Sequence, residues 1–369
     1  MHRHSIPAWT DRSRQTRSIA TTLVSLLLSV SAIAQPATPP PVVVDADGTV
    51  HMPAQTVPVS DFLSTAGKAY LADHLLQLQR PEMLVQENGV PRLLAGYLAR
   101  QRELFPVDRE ETTIGGVHAY VYTPKGGVPD ANRDRVLIDL HGGGFSGCWP
   151  ACAELESMPI ASLGRIKVVS LDYRQGPQHR HPAASEDVAA AYRELLKTYR
   201  AENIGLYGCS AGGMLAGMSV AWFQQHGLPR PGAVGLLCAG AANVGGAAFG
   251  GDASFTTMPL GEGRVVAPGG AVSMEYFAGT DPQDPLVAPA SSAAVLAKFP
   301  PTLIVTGTRA FELSNAVYTH AELVKVGVDA DLHVWEGMFH GFFYNHDVPE
   351  SRDCFDVIVR FFASRLGKT

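Results

Sequence analysis

Residues 204–225 read IGLYGCSAGGMLAGMSVAWFQQ. Ile204 to Gly208 form a short apolar run of the kind that makes a buried strand, and Met214 to Gln225 read as a helix. Between them stands Gly208-x-Ser210-x-Gly212. A serine at a sharp strand-to-helix turn, with small residues on either side, is the nucleophile elbow. The neighbours must be small because a side chain there would collide with the adjoining strands. The helix that follows aims its positive N-terminal end at the serine oxygen. The spacing alone is a weak signal, since Gly and Ser are common; the strand and helix around it give it weight. Cys209 is the softer nucleophile, but the elbow exposes its middle residue, Ser210.

Outward from the elbow, the chain alternates short apolar runs with helical stretches. The runs are VLIDL, VVSLDY, IGLYG, VGLLCAG, TLIVTG and LHVWEG, preceded by the alternating VHAYVYTP. Helical stretches include ASEDVAAAYRELLKTYR and SNAVYTHAELVKVG. Strands alternating with helices predict βαβ units and an α/β fold with a mainly parallel central sheet flanked by helices. Ahead of the sheet, SDFLSTAGKAYLADHLLQLQ carries apolar residues at helical spacing with Ser60 as N-cap, and a second helix is expected over Val90–Leu104. The Gly/Ala-rich stretch 239–280 has no clear period and is assigned to a cap over the sheet. No internal repeat is visible.

Two further segments carry chemistry. The strand VLIDL ends in His141-Gly142-Gly143-Gly144-Phe145. Acyl transfer builds negative charge on a carbonyl oxygen, and unshielded backbone N–H groups stabilise it. Gly143 and Gly144 offer such donors, and the N–H of Ala211 completes the set. Near the C-terminus, LHVWEG is followed by Met338-Phe339-His340-Gly341. A histidine after the last strand is placed for the general base in the chain order Ser, acid, His. His179 and His181 in PQHRHPAA are read as structural or cap-facing, since no cysteine or carboxylate spacing makes them a metal site.

At 369 residues and 46% hydrophobic composition, the chain can bury a full core within one large domain. The formal charge is −6, and without the +3 of the first 34 residues it is −9. A mildly acidic body argues against nucleic acid and anionic membrane surfaces as main partners. Arg3, Arg12, Arg14 and Arg17 precede the uncharged IATTLVSLLLSVSAIA, which closes on Ala32-Ile33-Ala34. This is the pattern of a secretory signal over residues 1–34, cleaved after Ala34, which predicts an exported protein. Its 16 uncharged residues fall short of the ~20 a spanning helix needs, so no stable membrane association is expected after cleavage. Residues 35–59, with six prolines, read as a linker or N-terminal arm. Five cysteines are too few for a disulfide-framed fold. Cys148 and Cys152 lie close enough to pair in an exported protein, or they stay as small buried thiols.

HGGGF, DYRQGPQHRHPAASED, GCSAGG, DPLVAP and FHGF, in that order, resemble the bacterial hormone-sensitive-lipase family of α/β-hydrolase esterases. The similarity runs over residues 60–367. It implies an α/β-hydrolase catalytic domain over 106–369 and a helical cap built from residues 60–105 and an insertion at 239–280. It also implies that Ser210 attacks, His340 is the base, and Gly143, Gly144 and Ala211 bind the oxyanion. No cofactor and no metal are implied, and the substrate is a small ester of short to medium acyl chain. Asp172, Tyr173, Arg174 and the following Glu186-Asp187 carry over as framework only. Cys209 stands where the family usually has Asp or Thr, and Gln178 where it often has Glu. The third departure is in LIVTGTRAFEL, residues 303–313: the register of the family's catalytic Asp falls on Ala310.

Three readings of the acid follow. Glu312, two residues on and one methylene longer, reaches His340 from the same loop. Alternatively the acid is lost, leaving a Ser–His dyad in an impaired enzyme or a ligand-binding homologue. Or a more distant carboxylate, Asp281 or Asp284, substitutes. The loss of the correct imidazole tautomer costs about 10⁴ in kcat, so the question matters. The function expected is a serine carboxylesterase; the sequence leaves a homodimer open.

Overall fold

The computed structural model describes residues 41–87, 89–242, 251–265 and 274–367. The expected signal, residues 1–34, lies outside the described residues. So do residues 35–40 of the arm and the stretches 243–250 and 266–273 of the expected insertion. The described chain divides into two compact units between Thr56 and Val57. In the first, Val43–Val44 pairs antiparallel with Val50–His51.

The second unit is organised by an eight-stranded sheet: β1 Val107–Ile114, β2 Val117–Pro124, β3 Val136–Leu140, β4 Lys167–Leu171, β5 Ile204–Cys209, β6 Ala233–Leu237, β7 Thr302–Gly307 and β8 Ala330–Trp335. Their order is β8-β7-β6-β5-β3-β4-β2-β1. Strands β3 to β8 pair parallel, while β2 is antiparallel to both β1 and β4. Strands β3, β5, β6 and β7 are buried along their whole length, as near-continuous apolar runs covered on both faces should be. Strand β1 escaped the sequence reading because VDREETTI is polar and mostly exposed, the composition of a protected edge.

Helices α1 Thr65–Leu78 and α2 Arg92–Leu104 precede this sheet in the chain, and α3 Ala151–Gly164, α4 Ala183–Leu195, α5 Ala211–Gln225, α6 Leu313–Lys325 and α7 Pro349–Arg365 flank it. The strand period of two separates the cores. Ile138, Leu206 and Ile304 pack with Val188 and Tyr192 of α4 and Leu215 of α5. Their neighbours Leu137, Tyr207 and Leu303 pack with Leu155 of α3 and Ile358 and Phe362 of α7.

Helix α1 corrects one expectation. Its N-cap is Ser64, not Ser60: Ser64 Oγ accepts the Gly67 N–H at 2.9 Å. Glu350 of α7 decides the choice, accepting the Ser64 N–H at 2.7 Å and its O–H at 2.9 Å. Ser60 instead accepts the Phe62 N–H in a turn. Likewise α2 starts at Arg92 because Val90–Pro91 pairs with Gln86–Glu87.

Candidate active site

Ser210 joins β5 to α5 with φ 57° and ψ −121°, a backbone region that residues with side chains rarely occupy. Its N–H donates to the Leu237 carbonyl at 2.8 Å, and its own carbonyl starts α5 by accepting from Met214 at 3.0 Å. The flanking glycines are forced by the end of β3. A Cβ on Gly208 would lie 2.0 Å from the Leu140 oxygen, and one on Gly212 only 1.5 Å from it. The spacing Gly-x-Ser-x-Gly is thus a packing requirement of the sheet as well as a feature of the turn.

Strand β3 leads into the glycine loop. Gly143 has φ +121°, and a Cβ there would meet the Gly147 carbonyl at 2.1 Å. The N–H groups of Gly143, Gly144 and Ala211 donate to no acceptor among the described residues. Behind them lies a carboxylate the sequence reading missed. Glu156 of α3 is 1% exposed. Its Oε1 accepts the Gly142 N–H at 2.9 Å and the Tyr344 O–H at 2.8 Å, and its Oε2 accepts the Cys209 N–H at 2.9 Å. One side chain therefore ties the glycine loop, the elbow and the segment after His340 together. Burial, with Asp139 nearby, pushes its pKa up. The available signal was an acid inside the small and apolar run ACAELESMPIASLG, where a solvated charge is out of place.

Around the loop, Tyr173 stacks on His141 and donates its O–H to the His141 carbonyl at 2.6 Å. Arg174 holds Asp187, its backbone N–H at 2.8 Å and its Nε at 2.9 Å. Asp172 bonds His118 at 3.0 Å. Tyr173 thereby braces the loop, while the Arg174–Asp187 and Asp172–His118 contacts hold the segment that carries Tyr173.

His340 sits beyond β8 in a loop. Its Nδ1–H donates to Glu312 Oε2 at 2.9 Å, and Glu312 Oε1 accepts the Thr306 hydroxyl at 3.1 Å. Glu312 is 3% exposed, and Phe311 stacks on the imidazole at 4.4 Å. Burial lowers the His340 pKa, but the charge and hydrogen bond of Glu312 outweigh it and raise the value to about 9. Ala310 is buried, and its carbonyl accepts the Thr257 hydroxyl at 3.0 Å. Asp281 and Asp284 serve local turns, accepting the N–H groups of Gln283 and Leu286 at 2.9 Å each. The structure brings Glu312 to His340. Among the described residues, Cys238, Glu312 and His340 could present three metal-ligand atoms within 4.8 Å of one another. A metal there would replace the Glu312–His340 hydrogen bond.

Ser210, His340 and Gly142 to Gly144 open onto one cavity of about 310 Å³. Its walls come from Tyr70, His74 and Leu78 of α1, Leu93, Leu94 and Tyr97 of α2, and from Cys148 in the loop before α3 and Cys152 in the first turn of α3. Those two cysteines form a disulfide, whereas Cys209, Cys238 and Cys354 are free and buried. His179 and His181 are not part of this lining; the His181 ring lies against Tyr276 and Phe277.

Strand order, elbow and glycine loop together define a hydrolase of the α/β type, and the α/β-hydrolase-fold family model matches residues 137–344. The chain is 30% identical over 250 residues to an acetyl-hydrolase of Streptomyces hygroscopicus, covering 65% of this chain and 79% of that one. It is also similar to the crystal structure of an esterase, at 30% identity and TM-score 0.71, over 86% of this chain and 98% of that one. A crystal structure of an esterase from the bacterial hormone-sensitive lipase family matches at 26% identity and TM-score 0.68, over 81% and 99% of the two chains. The chain belongs to the bacterial hormone-sensitive-lipase family of α/β-hydrolase esterases, and it is a carboxylic ester hydrolase.

Proposed function

We propose that this hydrolase is a serine esterase that cleaves esters of short to medium acyl chain through an acyl-enzyme. The observation that carries the reading is the 2.9 Å bond from His340 to Glu312 at the wall of the cavity that Ser210 enters. With Nδ1–H committed to the carboxylate, Nε2 is left as the base. Ser210 Oγ attacks the ester carbonyl carbon and gives its proton to Nε2. The carbonyl oxygen takes the electron pair and is held by the N–H groups of Gly143, Gly144 and Ala211. Collapse expels the alcohol, which receives the proton from His340, and water then releases the acid by the same path. A cavity of about 310 Å³ suits a small ester. The rival, an impaired or ligand-binding homologue, rested on Ala310; the Glu312 contact favours the enzyme over it.

Ser210→Ala should abolish release of p-nitrophenol from p-nitrophenyl butyrate, and the wild type should give a burst matching the enzyme concentration if deacylation is slower than acylation. A variant keeping more than a few per cent of wild-type kcat would sink the assignment.

Export is the second part of the proposal, supported by the Arg-rich start and Ala32-Ile33-Ala34. Mass spectrometry of the native protein should find a chain beginning at Gln35 outside the cytoplasm; an intact N-terminus in the cytosolic fraction contradicts it.

A further inference from the structure

We infer that this site selects esters bearing a cationic group, an alkylammonium a few bonds from the ester carbonyl, and that Glu262 selects them; the inference rests on the serine-esterase reading above. Glu262 lines the same cavity as Ser210 and His340. Its carboxylate makes no hydrogen bond or ion pair with any described residue. Among the described residues, no lysine or arginine lines the cavity. Arg264, two residues on, is exposed and makes no ion pair with it.

The two histidines of the cavity do not supply the missing cation. His74 has its pKa lowered to about 4, chiefly by burial, so it is neutral near pH 7. Any positive charge on His340 is already matched by Glu312. Glu262 is therefore a carboxylate with no ion-pair or hydrogen-bond partner among the described residues; burial raises its pKa, and the more distant charges of His340 and Arg264 offset only part of that rise.

The backbone that carries this carboxylate is held in place. It follows the helical turn Met258–Gly261, whose Leu260 carbonyl accepts from Arg309 Nη1 at 3.2 Å. Gly261 packs so closely on the Arg309 carbonyl that a Cβ would lie 2.1 Å from it, and its own oxygen bonds His74 Nε2 at 3.1 Å. Thr257 donates to the Ala310 carbonyl at 3.0 Å. The backbone carrying Glu262 is thus docked on the loop that carries Glu312. An unpaired carboxylate in a largely apolar cavity is costly, and a cationic substrate removes that cost while an anionic one raises it. Tyr97, half-buried in the same wall, offers an aromatic ring of the kind that attracts an ammonium group.

The test compares p-nitrophenyl esters of three acids: a trimethylammonio-butanoate, its carbon isostere with a quaternary carbon in place of nitrogen, and a glutarate hemiester. The readout is the ratio of kcat/KM between cationic and neutral esters, in which any misfolded fraction cancels. Glu262→Gln should lower that ratio about tenfold, and Glu262→Lys should lower it further while raising the anionic ester relative to the neutral one. If the wild type cleaves the neutral ester but the ratio stays within twofold across all three proteins, this inference alone is overturned. If the wild type cleaves none of the esters, the serine-esterase reading fails and takes this one with it.

Discussion

Ser210 and His340 face one cavity, but the chain holds them by opposite means. The serine is set by backbone packing: the Leu140 carbonyl wedged between Gly208 and Gly212, and the Ser210 N–H on Leu237. At Gly208 and Gly212 a Cβ would collide with that carbonyl, so both positions require glycine. The histidine is set by a side chain reaching across from another loop. A carboxylate can arrive there from more than one position, provided its length makes up the distance. The first arrangement constrains the sequence; the second constrains only where the oxygen ends up.

The strongest way to break this comparison is to remove the reaching carboxylate. Glu312→Gln should lower kcat by about 10³–10⁴, the cost of losing the tautomer-fixing acid. In the wild type, kcat/KM should rise with pH and level off above about 9, because the base must be neutral and Glu312 favours its charged form. In the variant the inflection should fall toward the ordinary histidine value of about 6.5. Ala310→Asp in the same assay should change kcat only a few-fold, since His340 already has its partner. A large gain from Ala310→Asp with no loss from Glu312→Gln would show that position 310, not reach, governs the acid.

A smaller effect sharpens the backbone side. Glu156→Gln removes one of the acceptors that hold the Gly142 and Cys209 N–H groups, leaving a buried donor unmet at a cost of about 1–3 kcal/mol. It should lower kcat about tenfold to a hundredfold with KM nearly unchanged, because the oxyanion donors and the nucleophile shift against each other. A variant with wild-type kcat and only a lowered Tm would make Glu156 a packing residue and nothing more.

What was legible follows the same division. The elbow, the glycine loop and the buried strands were readable because local backbone demands are written in consecutive residues. The edge strand Val107–Ile114 was not, because its polar residues satisfy a place in the sheet and not a period of apolar burial. Ser64 displaced Ser60 as the cap of α1 because Glu350 lies 286 residues away in sequence and next to it in space.

By itself the sequence determined the α/β alternation, the serine on its turn, the bare N–H groups of Gly143 and Gly144, and a histidine beyond the last strand. Each depends on residues a few positions apart, so spacing is enough to express it. Only the tertiary structure decided that Glu312 meets His340, that Glu156 joins three segments, and that Glu262 enters the cavity without a cation. Those are choices among carboxylates whose chemistry is the same in the sequence. Burial, a partner's position and a few ångströms of reach tell them apart, and these exist only once the chain has folded.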